Sequence, residues 1–530
     1  MSLPPNSRRA FLRTSLGLGA GVVLGIGCDE PAPPAAPAAA PALPPAPAPE
    51  PPADELLGLK LERFTLHSRT PITLEARRSS FGVAPLTPTD RFFVRNNLPM
   101  PDASILDAPD RWVLRVEGVG SPRDVTLAEL KQLGLETVAT VVQCSGNGRS
   151  FYNHGPSGSQ WSVGAAGCAM WAGVRVSTLV EALGGVASAA RYMTSTGGDP
   201  LPEGVNPEDV IVERSIPVEK GLEDCLLAWE MNGEPIPLTH GGPLRLIVPG
   251  YYGCNQIKYI RQLAFTAEQT RAKIQRSGYR LRPIGEKGNP SQPSMWQMNV
   301  KSWVNGPGAD GQPVLAGKIR FYGVAFSGGS PIASVECSVD GGKSWRPAEL
   351  IGPDMGAYAW RTFSFRAELP PGSHTIFSRA RDRDGAVQPE QRVENERGYG
   401  NNSWRDMGLA VSVVETLPDA VPAAAGAAGS PAPAASAAPV SRVELDEQGA
   451  AGRALVLEQA SPPCGACHTL GDAGTSGVVG PNLDELGPDA ARVRAALQNG
   501  VGVMPSYKDL LSEEQIAAIA HYVELATKNP

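Results

Sequence analysis

Apolar positions along the chain fall into four regimes. Residues 14–27 form an unbroken run of small and apolar side chains. Between roughly 56 and 282, short apolar runs at 112–116, 138–142 and 244–248 alternate with helical spacing such as that of 176–183, which predicts a mixed α+β domain. From about 295 to 414 the pattern shifts to short strands at 318–325, 332–339, 360–365 and 375–380. The turn sequences Asp340-Gly341-Gly342 and Asp384-Gly385 punctuate them, which predicts an immunoglobulin-like β-sandwich. Further on, Ser512-Glu513-Glu514-Gln515 precedes Ile516, Ile519, Ala520 and Val523, the pattern of a capped amphipathic helix.

Two Pro/Ala tracts, 31–53 and 420–439, cannot bury a core and favour extended polyproline II. They divide the chain into a leader (1–28), a linker (29–55), the α+β domain (56–288), the β-sandwich (289–416), a second linker (417–444) and a last domain (445–530). A chain of 530 residues is expected to hold several such units. The charge balance, 47 Lys+Arg against 54 Asp+Glu with no long basic block, excludes a phosphate-tracking surface, so nucleic acid is not an expected partner. Ser7-Arg8-Arg9-Ala10-Phe11-Leu12-Arg13, with the apolar run behind it, resembles a twin-arginine export signal. It implies a periplasmic destination and a cofactor inserted before export. The run is shorter than the roughly 20 residues of a spanning helix. Cys28 stands where a lipoprotein carries its lipid anchor, although Gly25 replaces the usual Leu, Val or Ile three positions earlier, so lipidation is left open.

Cys464-Gly465-Ala466-Cys467-His468 has the C-x-x-C-H spacing that lets two thiols form thioethers with haem vinyl groups while the adjacent histidine ligates iron. A redox pair or half a zinc site would need a βαβ frame or a second C-x-x-C, and the sequence has neither. Residues 451–528 resemble class I cytochromes c. Gly480-Pro481-Asn482-Leu483 is similar to the loop after the haem motif, and Met504-Pro505 takes the place of the sixth ligand. The resemblance implies an all-α class I cytochrome c domain with haem c bound covalently through Cys464 and Cys467 and ligated by His468 and Met504. Met504 as a core filler and His521 as a substitute ligand are the competing readings.

In the α+β domain, the run 138–142 delivers Gln143-Cys144-Ser145-Gly146-Asn147-Gly148-Arg149, a glycine-rich turn bearing a thiol and a cation. Small residues at a strand end let a bulky cofactor approach, and the neighbouring arginine favours thiolate. On residue chemistry alone, a buried structural cysteine is an equal alternative. Cys168, Cys225, Cys254 and Cys337 are dispersed, and most are expected to be single buried thiols.

The turn resembles the segment of the sulfite oxidase family that supplies the protein thiolate to molybdenum. Arg91-Phe92-Phe93-Val94-Arg95-Asn96 resembles the family motif whose arginine faces the substrate. Glu230-Met231-Asn232-Gly233-Glu234-Pro235 and His240-Gly241-Gly242-Pro243-Leu244-Arg245 are similar to its molybdopterin-binding stretch, and Arg276-Ser277-Gly278-Tyr279 to the segment with the active-site tyrosine. Val339-Asp340-Gly341-Gly342-Lys343-Ser344-Trp345 resembles the dimerisation β-sandwich that follows. The likeness covers 81–414 in the family's order.

That resemblance implies molybdenum on Cys144, a small anion such as sulfite held by Arg95 and Arg149, and a donor in the Tyr279 hydroxyl. It implies molybdopterin contacts at Phe93, Val94, Arg95, Asn96, Asn97, Asp199, His240, Arg245 and Lys258, with Trp161 walling the pocket, and a homodimer. Asn97 departs from the pattern, since many members carry histidine there and an amide cannot become cationic. The implied activity is sulfite:cytochrome c oxidoreductase, with electrons leaving through the chain's own haem to a soluble cytochrome c or similar acceptor. Tract 420–439 would let the haem domain dock and undock. Two alternatives stay open: a molybdenum dehydrogenase for another sulfur oxyanion, sulfane sulfur or an S-oxide, and a non-enzymatic electron-carrying surface lipoprotein.

Overall fold

The computed structural model of the protein describes residues 55–417, 443–459, 464–476, 480–501, 504 and 506–528. The leader with Cys28, both Pro/Ala tracts and Pro505 lie outside the described residues. Among the described residues no helix is long and apolar enough to cross a membrane.

Three sheets build the first domain, beside a two-stranded ribbon of Glu55–Leu56 and Leu59–Lys60. One runs Glu213–Pro217, Tyr192–Gly197, Ile260–Thr266, Val113–Glu117 and Arg123–Thr126, with Ile260–Thr266 parallel to Val113–Glu117. A second runs Glu234–Pro235, Leu226–Met231, Ala166–Arg175 and Glu136–Gln143, and Arg245–Ile247 pairs with Leu226–Met231. The third joins Phe64–Arg69, Ile72–Ala76 and Val94–Arg95. The apolar runs at 112–116, 138–142 and 244–248 thus fall on strands, and 176–183 contains helix Val176–Ala182.

Strand Glu136–Gln143 serves two cores because its side chains alternate. Ala139 and Val141 join a cluster with Leu74, Val94, Trp303 and Trp360, whereas Val142 joins one with Phe93, Trp161 and Trp171. The first cluster crosses into the second domain. There Lys301–Gly306, Gly317–Phe326, Arg361–Leu369 and Glu349–Ile351 form one sheet, and Val314–Leu315, Leu409–Val414, Gly372–Asp382, Ile332–Ser338 and Arg346–Pro347 the other. Val304, Phe321, Phe363, Ile376 and Val411 fill the space between them, as in a sandwich. Phe81 of the first domain lies edge-on to Trp303 and Trp360 at 5.9 and 5.8 Å between centroids. Beside it, Arg78 donates to the Val304 carbonyl at 2.7 Å and the Gly408 carbonyl at 3.0 Å.

The last domain is helical, with Glu447–Ala454, Cys464–Cys467, Leu483–Leu486, Ala490–Asn499 and Glu513–Lys528. Ser512 and Gln515 form the expected capping box, Gln515 N donating to Ser512 Oγ at 3.3 Å and Ser512 N to Gln515 Oε1 at 2.9 Å. Ile516, Ile519 and Val523 pack on Leu455, Leu497 and Tyr507. Helices Glu447–Ala454 and Glu513–Lys528 touch backbone to backbone at Gly452, where a Cβ would fall 2.0 Å from the Ala518 carbonyl oxygen.

Trp360→Ala removes a fully buried indole shared by both domains and is expected to cost about 3–5 kcal/mol. Equilibrium denaturation of the haem-loaded protein measures this. An unchanged unfolding midpoint would show that the shared core does not join the two domains.

Candidate active site

Strand Glu136–Gln143 ends by releasing the chain into the Cys144 turn, which hydrogen bonds then lock. Cys144 N donates to the Ala165 carbonyl at 2.9 Å and Asn147 N to the Cys144 carbonyl at 3.0 Å. The Asn147 amide bridges outward, donating to Gln143 Oε1 at 3.1 Å and accepting from Ala165 N at 3.1 Å. Cys144 therefore sits at the floor of a cavity with little freedom to move.

One face of that cavity carries Phe93, Arg95, Asn96, Asn97, Asp199, His240, Arg245, Lys258 and Tyr279 together with Cys144. Val94 is the exception among the expected contacts. Period-2 alternation turns it away, and it is fully buried in the core beside Leu74, with which it pairs. Trp161 is also fully buried, in a layer behind the cavity, edge-on to Phe93 at 6.3 Å and to His67 at 4.7 Å.

The inner part is cationic and desolvated. Lys258 Nζ donates to Asn96 Oδ1 at 2.8 Å and to the Thr239 carbonyl at 2.6 Å, and burial holds its pKa well below that of a free lysine, with Arg245 adding to the effect. Burial likewise lowers Arg245 to about 10, and its guanidinium lies 4.7 Å from the Trp171 ring centroid. His240 Nε2 contacts the Thr89 carbonyl at 3.2 Å, so this nitrogen carries the proton. Its pKa is pushed down to about 3, chiefly by burial and then by Lys258. Burial raises Asp199 to about 7 while Lys258 opposes the rise.

Several polar atoms here are buried without a hydrogen-bond partner, among them Arg95 Nη1, Arg245 Nε and Gln256 Oε1. Each such group carries a desolvation cost of about 1–3 kcal/mol, more when charged. A phosphate-bearing pterin dithiolene offers acceptors to the two cationic groups, and Cys144 offers a soft ligand for molybdenum. The residues present fit that group.

Towards solvent the cavity is lined by Arg95, Asn97, Cys144, Arg149, Tyr279 and Arg397. Arg149 is buried and spends its hydrogen bonds on carbonyls, Nε to Arg397 at 2.9 Å and Nη1 to Ser159 at 2.8 Å. Asn97 is built into this part, with the Tyr279 hydroxyl donating to Asn97 Oδ1 at 3.4 Å. Tyr279 stacks on Tyr399 at 5.4 Å between centroids, and Arg214 lies 5.6 Å from the Tyr279 ring. Arg397 and Tyr399 come from the second domain, line the outer cavity and are candidate site residues that sequence reasoning missed. The run Asn395-Glu396-Arg397-Gly398-Tyr399-Gly400-Asn401-Asn402, too polar and glycine-rich for a sandwich strand, was the signal available. Cys254 lines the inner cavity and interacts with Ser145 Oγ at 3.3 Å.

The haem motif forms its own pocket of about 490 Å³, lined by Cys464, Cys467, His468, Met504 and Tyr507 among mostly apolar neighbours. His468 Nδ1 meets the Pro481 carbonyl at 2.9 Å, which places the proton on Nδ1 and leaves the Nε2 lone pair for iron. Gly480 is required beside it, because a Cβ would stand 2.5 Å from His468 Cε1. His521 is engaged elsewhere, 2.9 Å from Asp446, and does not line the pocket. The two sites approach each other. Strand Thr475–Ser476 packs near Phe64–Arg69, and Lys273, which lines the outer cavity, acts electrostatically on the Cys467 thiol.

Three family models match the chain: the oxidoreductase molybdopterin binding domain at 97–274, the Mo-co oxidoreductase dimerisation domain at 292–411, and cytochrome C oxidase, cbb3-type, subunit III at 447–523. Mitochondrial sulfite oxidase of Homo sapiens is 32% identical over 348 residues, 62% of each chain. Sulfite oxidase of Gallus gallus is 30% identical over 359 residues, 64% of this chain and 76% of that one. The sulfane dehydrogenase SoxCD from Paracoccus pantotrophus superposes with a TM-score of 0.55 at 25% identity, covering 66% of this chain and 88% of that one.

His240 gives a pH prediction. Its folded pKa of about 3 lies below the ordinary 6.5, so its contribution to stability is full above pH 6.5 and is lost as pH falls towards 3. His240→Gln is expected to flatten the loss of cofactor-free protein stability over that window, followed by urea midpoints. A slope as steep as that of the parent protein would contradict the assignment. A second prediction concerns Arg397, where Arg397→Gln should raise KM for an anionic substrate about tenfold or more through loss of a charged hydrogen-bond donor. An unchanged KM would remove Arg397 from the anion site.

Proposed function

Since the chain belongs to the sulfite oxidase family and carries a cytochrome c domain, we propose that it is a sulfite:cytochrome c oxidoreductase with molybdenum–molybdopterin and covalent haem c. The observation that carries the reading is the outer cavity, where Arg95, Arg149 and Arg397 gather beside Cys144 and none makes an ion pair with a carboxylate among the described residues. When bound, the molybdenum–pterin group supplies two-electron oxidation coupled to oxygen transfer, and the haem accepts electrons singly. The chain's own residues do the remaining work. The arginines bind and orient the sulfur oxyanion, the burial of Tyr279 keeps its phenol protonated as a donor, and Phe93 and Tyr399 narrow the access of water. His468 is held by the Pro481 carbonyl in the tautomer that can ligate iron.

A second reading, a sulfane dehydrogenase, is favoured by the likeness to SoxCD and by Asn97, which leaves the anion site one titratable cation short. The matching parts of this chain cover only 62% of the human enzyme's length, so substrate identity rests on this site. The leader at 1–28 supports export by the twin-arginine route to the periplasm, with Cys28 as a candidate lipid anchor, and the dimerisation domain supports a homodimer. A soluble cytochrome c or similar carrier would take the electrons onward.

Anaerobic mixing of the holoenzyme with sulfite, and separately with a protein-bound persulfide, distinguishes the readings through the ferrous haem spectrum. Sulfite is expected to reduce the haem within the turnover time. Reduction by the persulfide alone would establish the second reading, and a haem inert to both would refute the oxidoreductase.

A further inference from the structure

The Cys144 turn is held from outside its own domain. Gly400 N donates to the Ser145 carbonyl at 2.9 Å, Lys301 Nζ to the Asn147 carbonyl at 3.2 Å and Asn401 Nδ2 to the Gly148 carbonyl at 2.9 Å. All three donors belong to the β-sandwich, Lys301 opening strand Lys301–Gly306. Three backbone acceptors of the turn, at Ser145, Asn147 and Gly148, thus depend on the second domain.

Lys301 differs from the other two donors in being able to carry charge. Its side chain is only 1% exposed, and Asp406, the carboxylate that acts on it, is itself paired with Arg392 at 3.0 Å. Burying an ammonium with so little compensation is costly. A neutral amide could satisfy the Asn147 carbonyl without that cost, so the hydrogen bond alone does not call for lysine. Burial pulls the Lys301 pKa down to about 7, and negative charge on Asp406 and on Cys144 opposes the pull.

We propose that Lys301 is a positioning residue of the molybdenum site, a buried cation from the β-sandwich that fixes the Cys144 turn and raises the reduction potential of the metal held there. The inference rests on the reading of Cys144 as the molybdenum ligand. A positive charge in a low-dielectric interior favours the more negative, reduced state of a nearby centre, and the amide that replaces it cannot. The β-sandwich then acts on the chemistry of the first domain as well as on assembly.

The test uses holoenzyme with Lys301→Gln, Lys301→Arg and Asn401→Ala. Metal analysis, redox titration followed by the Mo(V) paramagnetic resonance signal, hydrogen exchange over residues 144–149, and steady-state kinetics are measured on each. Lys301→Gln is expected to keep its molybdenum, lower the midpoint potential and lower kcat about 10- to 100-fold with KM little changed. Lys301→Arg should hold the potential near that of the parent, and Asn401→Ala should speed exchange of the turn without moving it. A parent-like potential and kcat in Lys301→Gln overturn the proposal, as does a potential in Lys301→Arg as low as in Lys301→Gln. Where Lys301→Gln yields no holoenzyme, Asn401→Ala decides. A potential that falls as the turn loosens shows geometry and not charge in control, and a steady potential supports the proposal. Absence of molybdenum from the parent protein overturns the reading of Cys144 itself, and metal analysis shows this before any variant is compared.

Discussion

Buried positive charge in excess of the carboxylates that face it is expensive, and this protein gathers Arg95, Arg149, Arg245 and Lys258 around one cavity with Asp199. None of the four makes an ion pair among the described residues, and Arg95 Nη1 and Arg245 Nε have no hydrogen-bond partner. The fold carries this cost through its apolar cores, above all the cluster that Trp303 and Trp360 share with Leu74, Val94 and Val141. Anionic ligands would answer that charge, a pterin phosphate in the inner part and, on the proposed function, a sulfur oxyanion in the outer part. The site is thus preorganised for negative ligands before either arrives.

The second domain is bound into that site. It contributes Arg397 and Tyr399 to the outer cavity and donors to three carbonyls of the Cys144 turn. A sandwich that served only assembly would have no reason to reach so far into its neighbour. The haem pocket lies on the helical domain, and its motif meets the first domain near Thr70, where a Cβ on Gly465 would stand 3.1 Å from the carbonyl oxygen.

Much of this was legible in the sequence, for physical reasons that differ by element. Strand Glu136–Gln143 announced itself by a continuous apolar run, because both of its faces are buried. The turn after it and the C-x-x-C-H motif were legible because their ligands are local in sequence. Arg397 and Tyr399 were not, since they lie some 250 residues from Cys144 and reach it only through the packing of two domains. Val94 was assigned to the cofactor with its neighbours, yet alternation along Val94–Arg95 already separates it from Phe93 and Arg95. The charged role of Lys301 was invisible for a related reason, as a lone lysine opening a strand reads as a solvated end.

The central claim is that electrons enter at Cys144 and leave through the haem on Cys464 and Cys467. Rapid mixing of sulfite with the Cys144→Ser holoprotein tests it most directly, with dithionite as the control for an intact haem. The account predicts that dithionite reduces this haem as in the parent while sulfite leaves it ferric through many parent turnovers. Reduction by sulfite at the parent rate would contradict it.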